Sequence, residues 1–500
     1  MFGARARDEE VVRAMSGALA HRGPDPSGVW WDHEAGIAMG HRRLSIVDLS
    51  PAGNGPMLSA DGRYVVTFNG EIYNFRELRA GLEAAGHVPV GGWRGHSDTE
   101  AFLQAIAAWG LEPTLRQSVG MFAFALWDRR ERQLMLVRDR FGEKPLYYGW
   151  SGRNFVFGSE LKALRAHPGF DNMVDRRAVA LFARRTHVPA PFSIYRRIFK
   201  LPPACVLLVT AEGAASPPDV PPGEEHSRKG ISLSRYWSYR DVVRTGLSEP
   251  IENESDALEE LEKTLSRSIG EQSVADVPVG AFLSGGIDSS TVVALRQKNS
   301  SSPVRTFSIG FEDATFNEAN YAKAVARHLG TIHHEQYLTA AEARDVIPSL
   351  PSTYDEPFAD SSQIPTHLLS RFARQVVTVA LTGDGGDELF AGYNRHVLAP
   401  RIWQELKRFP RPLRAAAAVP LGRVPPQFWA SAMGLLRGAR QPHLGGKVQK
   451  ALAVMARAAS FEDVHRTLVE VWGKDRSPVL GEERCIMPAT WTWERRSPTR

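Results

Sequence analysis

Residues Ser284-Gly285-Gly286-Ile287-Asp288-Ser289-Ser290 follow the apolar run 277–283 and precede Thr291-Val292-Val293-Ala294-Leu295. An apolar run, paired glycines and a second apolar segment predict a strand, a tight turn and a helix N-terminus. Adjacent glycines let backbone N–H groups approach an anion, and the helix end adds partial positive charge. The serines add hydroxyl donors, and Asp288 can hold a cation. Such a loop cradles phosphates. It is not a Walker A loop, because no Gly-Lys-Ser/Thr follows to reach the β- and γ-phosphates. A capped glycine turn is the bland reading of a lone Ser-Gly-Gly; the full heptapeptide after an apolar strand is much more specific.

At 500 residues the chain is long enough for two or more domains. Its 61 Lys+Arg nearly balance 56 Asp+Glu, and no basic block long enough for a nucleic-acid arm occurs. Two cysteines, Cys205 and Cys485, give neither a disulfide framework nor metal-ligand spacing. The start, Met1-Phe2-Gly3-Ala4-Arg5, lacks the apolar core of a signal peptide, and no run of 18 apolar residues occurs. The expectation is a soluble, reduced, cytoplasmic protein with no nucleic-acid or membrane partner.

Residues 1–205 carry short β-like runs such as 64–68, 120–128 and 155–157. The segment 206–245 is expected to be a linker, because its stretch 211–234 is rich in proline and small residues. A helical pattern then places Leu258, Leu261, Leu265 and Ile269 on one face, with Ser255 as N-cap. Strand-like runs at 304–310 and 376–381 alternate with helical segments, Gly330 ending one of these, which argues a parallel sheet covered by helices. The second run leads into Thr382-Gly383-Asp384-Gly385-Gly386-Asp387-Glu388. Open parallel sheets bind ligands beyond the carboxyl ends of their strands, where both glycine loops fall. Mg²⁺ takes one or two carboxylates beside phosphate oxygens and water, which suits Asp288 and Asp387. His333-His334 point to opposite faces of a strand and read as structural.

The heptapeptide resembles the PP-loop of ATP pyrophosphatases. More widely, residues 277–395 resemble the synthetase domain of glutamine-hydrolysing, class B asparagine synthetases. The matching stretches are Asp276-Val277-Pro278-Val279-Gly280 with the heptapeptide, and Thr306-Phe307-Ser308-Ile309-Gly310-Phe311. They continue with Tyr354-Asp355-Glu356-Pro357-Phe358-Ala359-Asp360-Ser361-Ser362, Leu381 with the second loop, and Gly392-Tyr393. The resemblance implies that ATP activates the side-chain carboxylate of aspartate as an acyl-adenylate, which ammonia converts to asparagine. It implies an ATP site of Leu283, Ser284, Gly285, Gly286, Asp288, Ser289, Ile309, Thr382 and Gly383. Asp384 would stand near the intermediate, and Mg²⁺ on Asp288 and Asp387.

Residues 18–162 resemble the N-terminal-nucleophile glutaminase domain of the same family. The match rests on His21-Arg22-Gly23-Pro24-Asp25, His41-Arg42-Arg43-Leu44-Ser45-Ile46-Val47-Asp48 and Phe68-Asn69-Gly70-Glu71-Ile72-Tyr73-Asn74. Ser97-Asp98-Thr99-Glu100, residues 120–125 and residues 138–148 complete it. Ser97 and Glu100 also fit a capping box on a helix with Phe102, Ile106 and Trp109 on one side. Asn69-Gly70 also fits a hairpin turn. The resemblance implies that Arg43, Ile46, Val47, Asn69, Gly70, Glu71 and Asp98 bind glutamine. Arg43 would pair with its α-carboxylate, Asp98 with its α-ammonium, and Asn69 and Gly70 would form the oxyanion hole.

Two departures stand out. Family members begin Met-Cys-Gly and use the exposed cysteine as nucleophile, whereas Phe2 stands here, and neither internal cysteine has the free amine required. After residue 475 no counterpart of the family's closing lysine-bearing segment is found, and 476–500 reads as an irregular tail. The expectation is a family member truncated at both ends that does not hydrolyse glutamine. The expected fold is a four-layer αββα glutaminase domain (1–205), a linker (206–245) and an α/β PP-loop domain (246–475). Its partners would be ATP, aspartate, and glutamine or ammonia, and a homodimer is an assembly the resemblance allows. Two alternatives stay open: a non-catalytic binder of ATP or glutamine, and a relative that acts on another carboxylate such as a sugar acid.

Overall fold

The structure is a computed structural model that describes residues 1–3, 8–224, 229–312, 317–429, 431, 444–472 and 477–480. Cys485 and most of the expected irregular tail lie outside these residues. The chain divides into two compact units, one of residues 1–178 and 188–383, the other of 179–187 and 384–500.

The larger unit begins with two antiparallel layers. Strands β1 (Ser27–Asp32), β2 (Ile37–Arg42), β3 (Met57–Leu58), β4 (Tyr64–Ile72), β5 (Gly120–Asp128), β6 (Gln133–Arg138), β7 (Tyr147–Ser151), β8 (Asn154–Gly158), β9 (Ile198–Lys200), β10 (Cys205–Val209) and β11 (Ile231–Arg235) supply them. One sheet has the order β11-β10-β6-β5-β4-β3. The other layer joins β1-β2 to β8-β7-β9 through Phe2, which bridges both Ile37 and Phe155. Helices Glu9–Gly17 and Leu161–Arg165 cover the second layer, and Phe75–Ala84 and Asp98–Trp109 the first, which gives the expected αββα order.

Burial on both sides explains the near-continuous apolar run of β5. Phe122, Phe124 and Leu126 join Phe68, Phe102 and Ile106 beneath the helices. The intervening Ala123 and Ala125 face the other sheet and pair with Asn69 and Thr67. These small side chains leave room between the layers. The 206–245 segment, expected to be a linker, instead holds β10 and β11 at the edge of the six-stranded sheet. Their alternation, Ile231 and Leu233 in against Ser232 and Ser234, is short enough to hide beside the prolines.

The same unit contains the parallel sheet β14-β13-β12-β15, built from β12 (Val279–Phe282), β13 (Arg305–Phe311), β14 (Ile332–Leu338) and β15 (Val379–Leu381). Ala281, Leu283, Val293, Ala322 and Leu381 form the core on one face. Phe307, Ala373 and Val377 pack on the other. Both faces are covered, as a parallel sheet requires.

Helix Glu254–Glu271 differs from expectation at its start. Asn253, not Ser255, is the N-cap, accepting from Ser255 N and Asp256 N. Leu258 is 60% exposed while Ile269 is buried, so only the C-terminal half of the apolar stripe reaches the core. Helix Ala319–Leu329 ends at Gly330 in the left-handed conformation. His333 hydrogen-bonds Thr306 and Ser308, and His334 stacks on Phe307 from the opposite face.

In the smaller unit, helices Asn394–Leu406, Leu444–Arg457 and Phe461–Val469 enclose Ala399, Leu406, Val454, Ala458 and Val464. The buried Arg414 guanidinium donates to the carbonyls of Phe409, Met455 and Ala458.

Candidate functional site

The space beside Ala123 and Ala125 is a cavity of about 430 Å³. Arg43, Ile46, Val47, Asn69, Gly70, Glu71 and Asp98 all line it. Asn69 and Gly70 lie inside β4, paired with Ala123 and Phe122, so they are not a hairpin turn. The Asn69 side chain donates to Ser159 Oγ at 3.2 Å.

Arg43 shapes one wall. Its guanidinium donates to the carbonyl of Ser50 at 2.8 Å, to Asn54 Oδ1 at 3.0 Å and to the carbonyl of Asp48. The loop that carries Ile46 and Val47 therefore wraps around a buried cation. Asp276, just before β12, pins the same loop: its N–H donates to Ile46 O and its carboxylate accepts from Asp48 N, each at 2.8 Å.

Ser97 caps helix Asp98–Trp109 by accepting from Glu100 N. The box is half formed, because the Glu100 carboxylate accepts from Arg94 N and Gly95 N instead. Asp98 is buried and accepts from Ile72 N at 2.9 Å and Thr99 N at 2.7 Å. Burial raises its pKa against the pull of those hydrogen bonds. Glu71 Oε1 is buried with no hydrogen-bond partner among the described residues. Burial, then the nearby Asp98, pushes the Glu71 carboxyl up to about 7. Two acidic groups facing one cavity, one without a donor, suit a cationic ammonium group.

Three more lining residues, His41, Lys144 and Ser159, have no role that the sequence alone assigns. Burial, then Arg43, lowers the His41 pKa to about 4, which keeps the imidazole neutral. Lys144 lies within the matched stretch 138–148, the one signal pointing to it. The cavity also reaches Thr378 and Val379 at the start of β15, so both sheets contribute to its wall. None of its described lining residues is a cysteine. Cys205 is buried in β10, and burial pushes its thiol up to about 12.

The nucleotide candidates gather at the carboxyl end of the parallel sheet. Leu283 follows β12 and donates its N–H to Phe307 O of the neighbouring β13. Ser284 Oγ meets Ser289 Oγ at 2.9 Å and accepts from Gly286 N, which folds the loop on itself. Gly285 has φ +84°, and a Cβ there would stand 2.6 Å from Ala322 N. Helix Ile287–Lys298 has Gly286 as N-cap with no side-chain cap bond. Ser290 Oγ is buried without a partner among the described residues. Uncapped amides and an orphaned hydroxyl fit a phosphate better than a closed structural turn.

Beside β12 lies β15, and Gly383 just after it approaches so closely that a Cβ would lie 2.8 Å from Ser289 N. Thr382 and Gly383 thus adjoin the heptapeptide, and Ile309 lies in the neighbouring β13. Asp384 and Asp387 belong to the smaller unit, Asp387 within helix Gly386–Phe390. Among the described residues no group of three or more His, Cys, Asp or Glu side chains could hold a metal. A Mg²⁺ bound mainly through phosphate oxygens needs no such group.

Residues 1–218 match the glutamine amidotransferase domain family, and 260–497 match the asparagine synthase family, through the stretch expected to be an irregular tail. The chain is 34% identical over 436 residues to a putative asparagine synthetase [glutamine-hydrolyzing] 2 of Methanocaldococcus jannaschii, covering 83% of this chain and 78% of that one. It is 33% identical over 423 residues to asparagine synthetase [glutamine-hydrolyzing] 1 of Bacillus subtilis, covering 83% and 62%. With a putative asparagine synthetase [glutamine-hydrolyzing] of Mycobacterium tuberculosis it shares 36% over 418 residues, covering 81% and 60%. The chain thus spans about three-fifths of the two bacterial relatives.

Proposed function

The chain belongs to the family of glutamine-hydrolysing asparagine synthetases, and from that membership we propose that it is an ATP-dependent carbon–nitrogen ligase that makes asparagine from aspartate. A carboxylate is a poor acyl donor, and adenylation gives it a good leaving group. The aspartate side-chain oxygen attacks the α-phosphorus of ATP, and the bond to pyrophosphate breaks. Ammonia then attacks the acyl carbon, loses a proton and expels AMP.

The observation that carries this reading is the heptapeptide loop, whose uncapped helix end and orphaned Ser290 hydroxyl stand at the sheet's carboxyl end. The amides of 285 and 287–289 hold the charge that gathers on pyrophosphate, while those of Ser284 and Gly286 are used to fold the loop. Gly383 keeps its backbone against Ser289, and Leu283, Ile309 and Thr382 frame the adenosine. Asp288 is assigned to Mg²⁺, which neutralises phosphate charge when bound.

In the cavity, Asp98 with Glu71 would take the α-ammonium of glutamine, Arg43 would face its α-carboxylate with the Nε edge while its terminal nitrogens hold the wall loop, and Asn69 and Gly70 face the amide. Hydrolysis also needs a nucleophile, and no described lining residue is a thiol. For the described residues the nitrogen donor we assign is free ammonia, with glutamine bound and not cleaved. The assigned place of work is the cytoplasm. No helix among the described residues is long and apolar enough to cross a membrane.

Pyrophosphate release tests the proposal. It is expected only with ATP and aspartate together, supported by ammonia and not by glutamine. Release with a different carboxylate and none with aspartate would move the chain to another substrate. No release with any carboxylate would leave a binding protein.

A further inference from the structure

Asp355 and Glu356 belong to a motif of the synthetase half, yet both carboxylates turn toward the glutamine-pocket half. Asp355 Oδ2 accepts from Lys162 N at 2.8 Å, across 193 residues of sequence, and its Oδ1 lies 3.3 Å from Lys162 Nζ. Lys162 is the second residue of helix Leu161–Arg165, whose own N-cap, Glu160, makes no cap bond. Glu160 is occupied elsewhere, by Lys162 Nζ at 2.5 Å and Arg22 at 2.8 Å.

Glu356 grips the adjoining strands. Its carboxylate accepts from Ile194 N at 2.7 Å and Tyr147 OH at 3.3 Å, and pairs with Lys200 Nζ. Tyr147 stands in register with Lys200 on one side and Gly158 on the other. One row across β8-β7-β9 is therefore held from outside by a single carboxylate. Gly158 ends that row and, with Ser159, lines the cavity, where Ser159 Oγ receives the Asn69 amide. The two carboxylates brace both sides of the turn that presents Ser159 to Asn69.

We infer that Asp355 and Glu356 are positioning residues for the glutamine pocket, acting through Gly158, Ser159 and Asn69, and not groups of the adenylation chemistry. Neither lines the cavity, and every partner just named lies before residue 201. The inference rests on the proposed glutamine site and adds the residues that hold one wall of it in place.

Calorimetry on the full chain tests it, with glutamine and ATP titrated separately into native protein, Asp355→Ala and Asp355→Asn. Loss of the capping oxygen in Asp355→Ala is expected to weaken glutamine binding about tenfold. Asp355→Asn keeps an oxygen for Lys162 N–H and is expected to stay within about threefold of native. ATP affinity should be unchanged in both, which a general loss of structure would not give. Native glutamine affinity in Asp355→Ala, or a parallel fall in both affinities, overturns the inference. Where Asp355→Ala does not fold, Glu356→Gln replaces it: weaker glutamine binding with native ATP affinity is expected, and native glutamine affinity or a parallel fall overturns the inference. Native protein that binds no glutamine would instead remove the pocket assignment itself, and the inference with it.

Discussion

In the cavity between the antiparallel layers, Arg43, Asp98 and the β4 pair Asn69 and Glu71 come from three separate segments, and most of their polar atoms are engaged by neighbouring groups. At the end of the parallel sheet, residues 284–289 come from one stretch whose serines hold the loop while the helix end stays uncapped. The first site is a wall of long-range contacts, and the second is a local turn leaning on two neighbours, Gly383 and Ala322. A long-range wall is shaped by residues that never touch ligand; a local turn is shaped chiefly by its own sequence. Substitutions far from the site should therefore damage the first and spare the second.

The largest expected effect attacks the local turn at an outside support, Gly383. In Gly383→Ala a Cβ would push Ser289 N from its place, and pyrophosphate release should fall roughly a hundredfold or more, as when a charge-stabilising donor is lost. Glutamine affinity, measured on the same protein, should hold. A parallel fall would mean that the two sites are one mechanical unit and would break the contrast.

Arg43→Met strikes the other site at its support. The carbonyls of Asp48 and Ser50 would lose a buried donor, and stability should drop by about 2 kcal/mol in a denaturant titration. Glutamine binding should be lost while ATP binding persists.

Acidity should separate the sites further. Glu71 ionises at about 7 in the folded chain, against an ordinary value of 4.5. Between those values the native state holds a proton that the unfolded chain has released, so stability falls as pH rises through the window and levels above it. An ammonium ligand prefers the ionised carboxylate, so glutamine affinity should rise as pH passes through that upper value. Glu71→Gln should flatten both slopes, with no change in the pH dependence of ATP binding.

The smallest effect is expected at Leu258, on the exposed half of its helix. Leu258→Gln should change the unfolding free energy by less than about 0.5 kcal/mol and leave both ligand affinities alone.

The same contrast explains what can be read from the sequence. The heptapeptide, its strand and its helix are legible because a turn of this kind is written in consecutive residues. Asn69 and Asp98 are legible as site residues only through resemblance, since a strand interior and a helix start look alike whether or not they line a cavity. The commitment of Arg43 to the carbonyls of its own loop is not legible, because guanidinium geometry depends on where the chain doubles back. Nor is the bond from Lys162 N to Asp355, which joins segments with no shared pattern. Ser255 and Asn253 are both good capping types, and the choice falls on Asn253 because its backbone stays extended. β11 hides because five residues of weak alternation beside a proline-rich stretch resemble a linker.

Val279 in β12 pairs with Val379 in β15, one hundred positions later. At roughly 5–20 residues per second, a ribosome adds β15 several seconds or more after β12. Throughout that interval the central strand has one open edge, which offers a template for wrong pairing. Thr378 and Val379, which complete the cavity wall, come with the same strand. Neither site can be finished before that point in synthesis, so the pace of translation between residues 282 and 379 should govern how much of the newborn protein folds correctly and how much needs a chaperone.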